Sequence, residues 1–284
     1  KYEECRFSKK EKIWDKAFFK EISTFISWTL IGNSARVIKD QGATIVFNVF
    51  YGTVINAAYG IASQITNQLN FFSGTLQGTT NPQIMKSEGA GNRERTIRLS
   101  FLSSKLSFFL LAIIALPVFF EMEWILNIWL KGIPAYTLLF CKLILIAKLI
   151  EQMTSTSINT FLAVGDIKGY QLTSGFITIL NLPLAYLLLK IGFSANYVLL
   201  AFISIEVVLG LLRIFYLKKL VNVSLKYSFY NLIYKESLMH RLLIIFLYEI
   251  ALLHLYGVAK EQIFLLIHQD KYRPPHGQPE KECF

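Results

Sequence analysis

The chain has 284 residues, of which 54% are hydrophobic and only 17% charged, and its mean hydropathy is +0.44. A soluble globular domain is nearer a quarter charged; here the deficit is concentrated in long apolar runs, which excludes a soluble domain built around one large core. The 29 Lys and Arg against 19 Asp and Glu give a net charge of +10, but these basic residues stand between apolar runs rather than on one patch, a pattern of membrane loops and not of a nucleic-acid partner.

Residues 1–20 carry Lys1, Arg6, Lys9, Lys10, Lys12, Lys16 and Lys20 and read as a basic cytoplasmic segment. The chain opens on Lys1, with no signal-peptide pattern ahead of the first apolar run, and is expected to be part of a longer protein. A bilayer crossing needs about 20 mostly apolar residues, and six stretches qualify. They are 22–38, a second from Ala43 to about Thr66 with a polar-dotted extension toward Thr80, then 99–120, 135–158, 171–190 and 196–217. Strands of a membrane barrel would be half as long and strictly alternating. The expectation is an all-α membrane protein with a six-helix transmembrane bundle over 21–218.

The links between these runs are short. Residues 39–42 carry Lys39 and Asp40; 86–98 carry Lys86, Arg93, Arg95 and Arg98; 121–133 carry Glu121 and Glu123 against Lys131. Lys168 lies in 164–170, no charge lies in 191–195, and Lys218, Lys219 and Lys226 follow the last run. Basic residues recur in alternate links, so the positive-inside bias places both ends of the bundle, 86–98 and 164–170 in the cytoplasm. Residues 219–284 form a cytoplasmic or interfacial region. Within it, 239–259 is apolar enough for a seventh span but holds Arg241, Glu249 and His254, so it reads either as that span or as an extra interfacial helix, and 269–284 is a polar, Pro- and Gly-containing disordered tail.

No catalytic constellation is visible: there is no phosphate-binding glycine loop, no paired cysteines and no histidine-glutamate zinc motif. Cys5, Cys141 and Cys283 show no spacing for a disulfide or zinc site, and the four histidines all lie beyond residue 239. Neither an enzyme activity nor a metal or other cofactor is expected.

The informative residues are polar ones inside apolar runs, where ionisable groups are costly and face a bundle interior or a wet cavity. Arg36 shares a helix face with Asn33 and either snorkels to the interface or meets an anionic substrate. The second run holds Asn48, Asn56, Gln64, Asn67, Gln68 and Asn70 among small residues. They serve either as hydrogen-bonding glue or, along a stripe of 48, 52, 56, 59 and 63, as a wet face for sugar hydroxyls. The fourth run holds Lys142, Lys148 and Glu151; Lys148 and Glu151 are one turn apart and are expected to pair and point inward. Glu206 lies two turns before Arg213 on one face and is either a buried structural partner or a site for proton or sodium coupling.

Four segments, NAAYGIASQITNQLNFF at 56–72, NPQIMKSEGAGN at 81–92, ILNIWLKGIP at 125–134 and AVGDIKGYQ at 163–171, resemble the second half of bacterial polysaccharide flippases of the Wzx type. That family belongs to the MOP/MATE exporter superfamily, which also holds the lipid II flippases. The resemblance covers about 17–230. The Pro82, Gly89, Ala90 and Gly91 segment falls in the second cytoplasmic loop, as in that superfamily.

The resemblance implies one half of a twelve-or-more-helix transporter of the bacterial inner membrane. Such a protein moves an undecaprenyl-pyrophosphate-linked oligosaccharide, such as an O-antigen or capsule repeat unit, to the outer leaflet, beside a polysaccharide polymerase. Arg36, Lys148 and Lys142 are the candidate pyrophosphate contacts, with Asn48, Asn56 and Glu151 as further cavity residues. From about His240 the likeness ends, and this chain alone is not expected to transport. The alternatives are a MATE-like multidrug exporter, for which Glu206 would be the coupling acid, and a membrane-embedded polymerase or glycosyltransferase, against which the short outer links count.

Overall fold

A computed structural model describes residues 15–221, and every statement of structure concerns these residues. The expected interfacial helix at 239–259, the tail at 269–284 and most of the basic segment 1–20 lie outside them. The described chain is all helix and connecting turns: α1 (Lys16–Gly89), α2 (Arg93–Phe120), α3 (Met122–Trp129), α4 (Thr137–Thr154), α5 (Ser157–Val164), α6 (Lys168–Ile179), α7 (Asn181–Ile191) and α8 (Ala195–Val221). Four stretches are long and apolar enough to cross a membrane, namely α1, α2, α6–α7 together and α8. Large apolar side chains such as Val49, Phe71, Phe176, Ile191 and Phe215 stand exposed on the outside, as lipid-facing residues must. The chain is therefore an all-α membrane protein.

The 74 residues of α1 do not form one rod. Gly52 sits at φ 69°, ψ −157°, a conformation open essentially to glycine alone. The rings of Phe47 and Tyr59 lie 5.2 Å apart, whereas twelve residues of straight helix would separate them by about 18 Å. The chain thus folds back at Gly52 into two arms, 16–51 and 53–89. This corrects the expected link at 39–42: Lys39 and Asp40 lie within the first arm. The reason is that the helix continues through them, with Lys39 largely covered and facing Glu206 while Asp40 lines the cavity and stays exposed.

Two other boundaries move. Residues 82–89, expected in a cytoplasmic loop, continue the second arm, and only 90–92 form the turn. There Gly91 takes φ 73°, the Asn92 side chain accepts from Arg95 N–H at 3.0 Å, and Arg93 pairs with Glu88 and donates to the Leu220 carbonyl at 3.2 Å. The link 121–133 contains the helix α3, which buries Met122 and Leu126 and exposes Trp124 and Ile128.

Three polar or apolar layers follow one another along the bundle. At one end Phe47, Tyr59, Leu111, Met122, Phe140, Leu189 and Val198 form an apolar cluster. At the other, Phe101, Phe161, Tyr170, Tyr216 and Leu217 form a second, with Phe25 and Trp28 against it. Between them the first arm approaches α6–α7 through small residues: a methyl at Gly32 would fall 1.8 Å from Gln171 Oε1, and one at Gly42 would fall 2.5 Å from Leu182 Cδ1. Such close approach is how membrane helices gain packing where no hydrophobic drive exists.

A hydroxyl seam joins α2 to its neighbours. Thr96, Ser100, Ser103, Ser104 and Ser107 are buried along one face of α2. Ser103 Oγ and Thr80 Oγ1 share a hydrogen bond of 2.6 Å, Ser100 Oγ donates to the Thr156 carbonyl at 3.4 Å, and nearby Gln77 Nε2 donates to Ser155 Oγ at 3.1 Å.

Candidate functional site

Between the two apolar clusters both arms of α1 together with α4, α5, α6, α7 and α8 line a cavity of about 420 Å³, in which polar residues are interspersed with apolar ones such as Leu143, Ile144 and Phe202. The first arm contributes Arg36, Lys39 and Asp40, and the second Tyr59, Ser63, Thr66, Asn67 and Asn70. The reversal at Gly52 is what sets these two sets opposite each other. Lys148 and Glu151 come from α4, Tyr170 and Gln171 from α6, Asn181 from α7, and Glu206 and Arg213 from α8.

The charges form two linked groups. In the first, Glu151 Oε2 accepts from Lys148 Nζ at 2.5 Å, and Glu151 Oε1 lies 3.9 Å from Arg36 Nη1. In the second, Lys39 Nζ is 3.4 Å from Asp40 Oδ1 and 3.8 Å from Glu206 Oε1, and Arg213 Nη2 is 3.9 Å from Glu206 Oε2. Arg213 joins the groups: its Nη1 donates to Thr154 Oγ1 at 2.9 Å and to the Glu151 carbonyl at 3.4 Å, and its Nε donates to Tyr170 Oη at 3.3 Å.

Those acceptors explain how a guanidinium only 3% exposed is tolerated. The break between α4 and α5 at Ser155–Thr156 leaves the last carbonyls of α4 without helical donors, and the negative end of that helix favours a cation. Arg213 supplies both donor and charge, with Glu206 as counter-ion. Arg36 is the opposite case, 54% exposed and without a hydrogen bond to its acid.

The cavity keeps unused hydrogen-bonding capacity. Asn181 Oδ1 and Glu206 Oε2 are buried without a hydrogen-bond partner, although both residues line the space. Among the described residues no three His, Cys, Asp or Glu side chains lie together as a metal set.

Of the residues singled out from the sequence, Arg36, Lys148, Glu151 and Glu206 meet in this cavity, and Lys148 and Glu151 pair as expected. Asn48 and Asn56 do not line it; they flank the Gly52 reversal, so the stripe 48, 52, 56, 59 and 63 is not continuous and only Tyr59 and Ser63 reach the cavity. Lys142 lies outside as well, its ammonium 5.2 Å from the Phe119 ring centroid.

Sequence reasoning missed Lys39, Asp40, Gln171 and Asn181. A helical stripe of Gly32, Arg36, Lys39 and Ala43 was the available signal for Lys39. No protein-family profile, curated protein or solved structure matches this chain.

Proposed function

We propose that the chain is a six-crossing bundle of a lipid-linked oligosaccharide flippase, with the two arms of α1, α2, α4–α5, α6–α7 and α8 as the crossings. The three charges of α4, Lys148 and Glu151 among them, then face the cavity or a partner and not lipid. The observation that carries the proposal is the cavity: four cations (Arg36, Lys39, Lys148, Arg213) against three acids (Asp40, Glu151, Glu206) leave a surplus of one positive charge, surrounded by amides and hydroxyls. A surplus cation suits a phosphate group, and amides suit sugar hydroxyls. A polar cavity between apolar clusters, reached by solvent at Arg36 and Asp40, suits an alternating-access carrier.

The order of the resembling motifs supports the same reading. So does the alternation of basic links, which puts the 89–93 turn and the end of α8 at the cytoplasmic face. The bundle then sits in the bacterial inner membrane and acts with a polysaccharide polymerase. A drug exporter coupled through Glu206 is less well supported, because Lys39 and Arg213 already flank that acid. A polymerase is disfavoured by outer links as short as 192–194.

The test is complementation of a flippase-null bacterium by the complete reading frame in which this sequence lies. Restored surface glycan is expected. Persistent absence of glycan while the protein is made and inserted rules the reading out.

A further inference from the structure

Glu151 holds its two cations unequally. Lys148 is bonded to Oε2 at 2.5 Å and is 20% exposed. Arg36 stands 3.9 Å from Oε1, makes no hydrogen bond to it and is 54% exposed on the cavity side. A charge-assisted guanidinium–carboxylate contact closes to about 2.8 Å when fully formed, so the Arg36–Glu151 pair is the loose member and the Lys148–Glu151 pair the fixed one. The two groups come from different helices, α1 and α4. Resting on the flippase reading, we propose that Glu151 is a built-in competitor for the transported anion: in the empty cavity it occupies Arg36, and a phosphate-type oxyanion takes its place by drawing Arg36 away while Lys148 stays bound.

Glu151 then sets how tightly the cavity holds its cargo. A carrier must release what it binds, and an internal carboxylate that recaptures Arg36 favours release. The other charges do not serve this role. Arg213 is enclosed by Thr154, Tyr170 and Glu206, and Lys39 lies between two acids, Asp40 and Glu206.

The experiment measures binding by the full 284-residue chain in phosphatidylcholine nanodiscs, in two arms: inorganic pyrophosphate added from solution, and undecaprenyl pyrophosphate included in the disc. Glu151→Gln keeps the side chain's shape, removes the competitor and is expected to tighten binding on the order of tenfold, the scale of one charge-assisted contact. Arg36→Gln, at an exposed position that does not threaten folding, is expected to weaken it by a similar factor, and the double variant to behave as Arg36→Gln. A gain in both arms assigns the swap to the phosphate group itself; a gain in the lipid arm alone assigns it to the lipid-borne form. Measurable binding with equal affinity in wild type and Glu151→Gln overturns the swap and leaves the flippase reading standing. Absence of binding in every variant and both arms overturns the two together. Glu151→Gln that does not fold is replaced by Lys148→Gln, for which the freed carboxylate holds Arg36 harder and binding weakens; unchanged binding there also overturns the swap.

Discussion

Two regions of the bundle are polar, and they use polarity differently. In the seam on α2, Ser103 bonds to Thr80 and Ser100 to a carbonyl at 2.6–3.4 Å, Ser107 Oγ is buried without a partner, and none of these residues lines the charged cavity. The cavity between α1, α4, α6 and α8 is built of charges whose pairs are mostly loose, at 3.4–3.9 Å, with one tight pair at 2.5 Å, and it encloses space. Hydroxyls bonded across helices hold those helices together, and a buried one such as Ser107 that lines none of the charged cavity is not placed to meet a ligand there. Charges held at arm's length have interaction energy in reserve. Polar residues in a crossing therefore mark a site only where their pairing is incomplete.

The contrast is broken most severely at Arg213. Arg213→Ala leaves Glu206 with Lys39 alone and uncaps α4, and removal of one partner of a buried pair costs about 3–5 kcal/mol; thermal unfolding in detergent is expected to show the largest loss of any single cavity variant. Next comes Gly32→Ala, whose methyl would meet Gln171 Oε1. The amide must swing away from the arm, at a cost of roughly 1–3 kcal/mol, which the same melt reads.

In the seam, Thr80→Val removes a single hydroxyl bond worth about 0.6 kcal/mol between membrane helices. Glycan export by the complete protein is expected to be unchanged; a loss of export with normal stability would make the seam part of the path. Arg36→Ala has a small effect on stability, within about 1 kcal/mol for an exposed pair, yet glycan export should fall sharply. Asn48→Ala, outside the cavity, should change neither.

Much of this was legible in the sequence, and the exceptions share a cause. The runs 99–120, 171–190 and 196–217 fall within α2, α6–α7 and α8 because their apolar residues are continuous and their ends carry turn or basic residues. The Lys148–Glu151 pair was legible because one-turn spacing on a helix suffices to place it. Lys39 and Asp40 were not, since a charged dipeptide followed by Gly42 looks like a loop until the acid that answers it, Glu206, is brought alongside by tertiary structure. Asn48 and Asn56 misled for the converse reason: they fit one helical stripe, and the single left-handed residue between them, Gly52, breaks it. Local spacing reveals pairs within a helix; it says nothing of which inward face is wet.

The ion pairs that close the cavity also impose a schedule on the making of the protein. Arg36 is answered by Glu151 and Lys39 by Glu206. At ribosomal speeds of roughly 5–20 residues per second, the last of these partners emerges on the order of ten seconds after the first arm. Through that interval Arg36 and Lys39 are without their inter-helix counter-ions, so the arm must wait beside water or the insertion machinery and cannot settle into lipid alone. An arm made before its partners is on this account among the last to be secured, and α8 acts as the latch that ends its wait.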